Sequence, residues 1–243
     1  AGEFMKKKVL ILGSAPDATR ASNWNNNFFD FLVAINNSWK IRKDWDFNIF
    51  PKDFPMHKRP TPNTKQKLIS EKEYVPAQNF FGGFVYAGGT MAYTAAYWAL
   101  KSLNPSSIFF LGCDMIYSQG ETHFYGKGSP DPLREDISLR SLEAKSARFE
   151  YHAQLHECQV FNLSQKNESR LVYRRKKVKD FDTYLLWEPR VFNQKKVDTA
   201  LQREKALNYF VEDGKYWKHT HLFQTKEIDF LDKLWLDSID VNL

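Results

Sequence analysis

Apolar runs that end abruptly on small or polar residues punctuate the first two thirds of the chain. "KVLIL" (Lys8–Leu12) stops at Gly13-Ser14-Ala15-Pro16, "FLVAIN" (31–36) runs into Asn37, and "DFNIF" (46–50) stops at Pro51. "SIFFLGCD" (107–114) gives way to a polar stretch, and "QVFNLS" (159–164) is a shorter run of the same kind. Such runs suit strands buried on both faces of a parallel sheet. Between them the spacing changes to a helical one. In "FVYAGGTMAYTAAYWALKSLNP" the residues Ala92, Ala95, Ala96 and Ala99 share a face that lets the backbone lie close to a sheet. Gly88 and Gly89 form the entering turn, Thr90 is placed to cap, and Pro105 follows the end. Further helices are predicted at 134–157, 198–211 and 227–236.

From 51 to 84 the prolines Pro51, Pro55, Pro60, Pro62 and Pro76 interrupt any period. This stretch is predicted as an irregular, lid-like insertion with a short helix at 65–72. Strands alternating with helices predict an α/β fold: a Rossmann-like, doubly wound, mostly parallel sheet with helices on both faces. Residues 1–4 precede Met5 and read as a cloning remnant. Residues 5–170 form the nucleotide-binding body, and 171–243 a basic, aromatic-rich helical extension.

Composition narrows the picture only slightly. The 243 residues suffice for a substantial core, and the 16% aromatic content serves either a bulky core or stacking on sugars and bases. No run of about 18 apolar residues is present, and the lysines after Met5 lead into too short a run for a signal-peptide core. Cys113 and Cys158 sit in apolar surroundings as small core residues, which points to a reducing, cytoplasmic setting. The net charge of +6 is densest in "YRRKKVK" (173–179), either a solvated face or an attraction for anions. No nucleic-acid module is visible.

In doubly wound sheets ligands bind beyond the carboxyl ends of the strands. That rule gathers Gly13 and Ser14, Asn36, Gly112 and Asp114 at one edge, with Gly88, Gly89 and Thr90 bordering it. "GSAP" and "AGGT" either cradle phosphate with backbone N–H groups or are plain tight turns. Neither fits the dinucleotide or Walker patterns. Asp114 suits ribose hydroxyls, a base edge, a metal or a turn cap. His123 follows a strand end by a few residues and has the titration range for proton transfer. His152 and His156 lie one helical turn apart with no further ligand in view, so they read as an exposed helix face and not a metal site.

"VLILGSAP", "AINNSW", "AGGTMAYTAAYWAL" and "IFFLGCDMIYSQGETHFYG" resemble the nucleotide-binding part of bacterial CMP-sialic-acid-dependent sialyltransferases. They equally resemble the related domain of motility-associated-factor glycosyltransferases. The resemblance spans roughly residues 9–164. It implies an inverting, metal-independent glycosyltransferase that takes a CMP-sugar as substrate and needs no cofactor. The donor is a sialic acid, another nonulosonic acid or Kdo, and the acceptor a glycan or glycolipid. It places Gly13, Ser14, Asn36, Gly89, Thr90, Gly112 and Asp114 around the nucleotide, with Gly88 bordering them as part of the same turn, Tyr117 and Tyr125 on the departing phosphate, and His123 as base. Two departures stand out: the family's histidine lies further along the chain than His123, and Phe50-Pro51 stands where the family has an asparagine. Arg134 or Arg140 could pair with the donor's carboxylate, and the 173–179 block could meet an anionic inner membrane. The alternatives are a magnesium- and ATP-dependent enzyme like the archaeal-type pterin diphosphokinases, or a nucleotide-binding module without turnover.

Overall fold

The structure is a computed structural model that describes residues 7–117, 135–179 and 186–240. Seven strands form one sheet: β1 (Lys8–Leu12), β2 (Phe31–Ile35), β3 (Phe47–Ile49), β4 (Lys67–Ile69), β5 (Ser107–Leu111), β6 (Gln159–Asn162) and β7 (Arg174–Arg175). Their order is β4-β3-β2-β1-β5-β6-β7, and every pairing is parallel. The apolar runs become strands because both faces are covered.

One face carries Val9, Ile11, Val33, Ile49, Ile108, Phe110 and Val160, packed in a single cluster with helical residues. The helices are α1 (Glu71–Phe80), α2 (Phe84–Ala87), α3 (Met91–Leu103) and α4 (Leu142–Leu155). The alanine stripe of α3 is buried against this face. The other face buries Leu10, Leu12, Leu32, Phe109, Leu111 and Phe161 beneath the 3-10 helix Pro16–Asn23, Trp45 and partly buried Trp24 and Trp39. Its aromatic ladder runs from Phe29 edge-on to Phe109 (5.6 Å) to Phe161 stacked at 5.4 Å. Much of the aromatic content therefore fills a core, while Phe80, Trp187, Phe210, Trp217 and Phe230 are exposed.

The proline-broken stretch holds more regular structure than its sequence suggests. The helix expected at 65–72 is the edge strand β4 followed by the start of α1, which continues through Pro76 to Phe80. Glu73 closes the start of α1 by accepting from the Ser70 N–H (2.7 Å). At the other end of the chain, β7 pairs with β6, and Tyr173 stacks on Phe110 at 5.3 Å. Helices α5 (Gln194–Leu207) and α6 (Thr225–Asp237) bury Val197, Ala200, Ile228, Leu231 and Trp235 with Ala144 and Tyr151 of α4. The described residues from 171 onward are thus built largely into the sheet and its helical layer. Among the described residues no helix is long and apolar enough to cross a membrane.

Candidate functional site

The order of strands reverses between β1 and β5, and the two turns leaving them are in contact. Gly13 donates its N–H to the Leu111 carbonyl (2.8 Å), and Ala15 donates to that of Gly112 (3.1 Å). A Cβ on Gly13 would stand 2.2 Å from the Gly112 oxygen. One on Gly112, whose φ is +75°, would stand 2.6 Å from the Cβ of Ala18. Both positions need glycine because two backbones share one gap. The expected meeting of the first turn with the strand carrying Asp114 is therefore present. Ser14, half-buried between them, makes no hydrogen bond among the described residues.

Asp114 follows at once, with the chain reversing at Met115 (φ +58°). Its side chain is buried, accepting from Ser164 Oγ (2.5 Å) at one oxygen and from Asn162 Nδ2 (3.2 Å) at the other. Ser164 Oγ also lies 3.4 Å from Asp17 Oδ2. The strand-end region thus holds two neighbouring carboxylates where the sequence reading had one. Burial first, and then the negative charge of Asp114, raise the Asp17 pKa above its ordinary value; Arg20, Lys166 and Ser164 offset part of this. Asp17 Oδ1 is buried without a hydrogen-bond partner among the described residues. Asp17 was legible as the acid four residues after Gly13, while Ser164 and Asn162 come from the tail of β6, which no local pattern links to β5.

At the end of β2, next to β1, Asn36 adopts a left-handed φ of +50°. Its side-chain oxygen, like those of Asn37 and Asn48, is buried and has no hydrogen-bond partner among the described residues. Asn48 of β3 donates to the carbonyls of Ala34 and Asn36 (2.9 and 3.0 Å), and so fixes the β2 turn from a strand position two residues before Phe50.

Because α3 precedes β5 and ends beside its start, the first turn of α3 lies at the same carboxyl edge as Asp114. Thr90 occupies the cap position, but its side chain makes no capping bond, which corrects the expectation that it caps. The first-turn N–H groups of α3 thus lack a side-chain acceptor from Thr90. Gly88 and Gly89 are packed against protein: a Cβ on Gly88 would meet Lys145 at 3.2 Å, and one on Gly89 the Tyr216 hydroxyl at 2.1 Å. Ser138 accepts from the Gly89 N–H (2.9 Å), and both Ser138 and Tyr216 donate to Asp136. These two glycines serve close packing of the entering turn.

Tyr117 is partly buried against the helical-side core. His123, Tyr125 and Arg134 lie outside the described residues. Arg140 is held by Asp229 through two bonds of 2.7 and 3.0 Å, so its charge already has a partner. His152, expected on an exposed helix face, is packed among Phe81, Tyr97 and Trp235, and burial lowers its pKa well below the usual histidine value. In the basic block Tyr173 is buried, Arg174 bonds the Glu188 carbonyl, and Arg175 donates to the Ser164 and Lys166 carbonyls at 2.8 Å. Two of its five cations thus brace the chain. Cys113 and Cys158 are free and buried.

No family model, curated protein or solved structure matches this chain.

Proposed function

We propose that the protein is a cytoplasmic glycosyltransferase that moves an acidic sugar from a CMP-sugar to a glycan or lipid-linked acceptor. The observation that carries this reading is the contact between the Gly13-Ser14 turn and the Gly112–Asp114 turn at the point where the strand order reverses. Polar groups without a hydrogen-bond partner among the described residues are concentrated there: Ser14, the first turn of α3, and the buried oxygens of Asp17 and Asn36. Ser14 and the α3 start take the phosphate, and the asparagine and aspartate oxygens take base and ribose donors. In transfer, an acceptor hydroxyl attacks the anomeric carbon, the bond from that carbon to the phosphate oxygen breaks, and CMP departs with the bonding pair. His123 receives the hydroxyl proton, and Tyr117 and Tyr125 donate hydrogen bonds to the departing phosphate.

The Asp17–Asp114 pair favours a second reading, because two adjacent carboxylates with one bare oxygen also suit a magnesium-bound ATP. Thermal shift against CMP, CTP and ATP, with and without magnesium, separates the two. Stabilisation by CMP without magnesium supports the transferase. Stabilisation that needs ATP and magnesium together overturns it in favour of the kinase-like reading. CMP binding with no turnover of any CMP-sugar indicates a binding module.

A further inference from the structure

Between Gly214 and Lys226 the sequence "GKYWKHTHLFQTK" holds three lysines and two histidines and no acidic residue. The structure folds it as two consecutive 3-10 turns, Tyr216–Lys218 and Thr220–Leu222. Each turn pairs an inward ring with an outward apolar residue. Tyr216 is buried and stacks on Phe84, while the adjacent Trp217 is 61% exposed. Phe223 is buried against Tyr209 (ring centroids 5.0 Å apart), while the adjacent Leu222 is 56% exposed. The outward residues are therefore presented by an anchored scaffold and do not arise from fraying. Among the described residues Lys215 and Lys218 have no ion-pair partner, and Lys226 adjoins Glu227, whose carboxylate is held mainly by Arg203. The nearest preceding acid, Asp213, turns its carboxylate back onto the Lys215 N–H (2.9 Å).

We infer that this segment is a docking surface for an anionic lipid bilayer, with Trp217 and Leu222 entering the interface and the lysines facing the headgroups. Exposed tryptophan and leucine on a purely basic stretch combine the two terms that drive interfacial binding, apolar burial and attraction to acidic lipid. Position adds a functional sense. Tyr216 of the same turn packs on Gly89 at the entrance to α3, so the surface adjoins the edge of the sheet that carries the candidate site. Docking there would bring that edge to a membrane-borne acceptor, a consequence that rests on the transferase reading. The 173–179 block is a weaker contender because Arg174 and Arg175 are engaged within the chain.

The test is co-sedimentation of the full chain with phosphatidylcholine vesicles, with and without added phosphatidylglycerol, followed also by tryptophan fluorescence. Binding is expected only with the anionic lipid and is expected to weaken with salt. Trp217→Ala with Leu222→Ala, and separately Lys215→Glu with Lys218→Glu, should each lower partitioning by about tenfold. Lys177→Glu with Lys179→Glu should change it by no more than about twofold. Absent binding by the wild type, full binding by the Trp217/Leu222 variant, or loss only in the Lys177/Lys179 variant overturns the proposal. So does a concentration-dependent dimer, abolished by Trp217→Ala and Leu222→Ala, in a protein that ignores vesicles. CMP thermal shifts keep the two ideas apart: a wild type that is stabilised by CMP but ignores vesicles removes only the docking surface, and one that binds vesicles without CMP stabilisation removes only the nucleotide reading.

Discussion

Ser164 donates its hydroxyl to Asp114 across 2.5 Å, and so ties the segment leaving β6 to the turn leaving β5. The same oxygen lies 3.4 Å from Asp17, which makes this serine, from beyond β6, the bridge between carboxylates that follow β1 and β5. The bridge eases a repulsion it does not remove, because Asp17 still has its pKa raised by burial and by Asp114.

That shift has a definite sign in stability. With its folded pKa above the unfolded value, Asp17 makes the native chain bind more protons than the unfolded one between the two values, so stability falls as pH rises through that window. Asp17→Asn is expected to be more stable than wild type at neutral pH. The advantage should vanish below the ordinary aspartate range, where both chains are neutral at this position. Urea unfolding across that pH range measures it, and a difference that does not vary with pH would refute the electrostatic account.

Gly13 and Ser14 are neighbours with opposite tolerances. Gly13→Ala forces a methyl group to within 2.2 Å of the Gly112 oxygen and 2.7 Å of the Cys113 sulfur, and is expected to cost about 3 kcal/mol or more in denaturant unfolding. Ser14→Ala removes a hydroxyl that bonds nothing in the described residues, so unfolding should be nearly unchanged. Its effect belongs to the ligand: CMP affinity by calorimetry should fall by about 10- to 100-fold, the range for one hydrogen bond to a charged group. Unchanged affinity would move the phosphate away from this turn.

The strands β1, β2 and β5 were legible because two-sided burial leaves an unbroken apolar run. β4 was not: at Lys67-Leu68-Ile69 it is a three-residue edge strand paired on one side only. The start of α1 did carry a signal, the Ser70-to-Glu73 spacing of a capping box, but Pro76 reads locally as a breaker. At the candidate site, Gly13, Gly112 and Asp114 were readable as strand-end residues. The partners of Asp114 were not, because Asn162 and Ser164 stand 48 and 50 residues away. The same limit hid the burial of Lys145 and Arg148, whose partners Asp232 and Glu204 lie 87 and 56 residues further on.

His123→Ala tests the transfer chemistry and leaves nucleotide binding as its control. A general base contributes about 10²- to 10⁴-fold, so transfer from a CMP-sugar should fall by that range while CMP stabilisation persists. A rate within a few-fold of wild type would assign the proton to another group.

Glu204 shows how firmly the last third of the chain is joined to the rest. Its carboxylate accepts two bonds from Arg148 (2.8 and 3.0 Å) and one from Trp235 Nε1 (2.9 Å). Arg148 also donates to the Tyr97 hydroxyl (3.0 Å) and the Phe81 carbonyl (2.7 Å), so α1, α3, α4, α5 and α6 meet at one buried ion pair. Removing one member leaves a buried charge alone, which costs about 3–5 kcal/mol. Glu204→Ala and Arg148→Ala should each show that loss in denaturant unfolding. Arg148→Met with Glu204→Gln, which leaves no charge and keeps an acceptor for Trp235, should recover part of it. A chain cut after residue 170 would strip the partners from both Arg148 and Lys145 and remove β7, and it is expected not to fold cooperatively. A sharp unfolding transition in that fragment would show instead that the sheet and its first four helices stand alone, with these buried pairs an addition to a finished core.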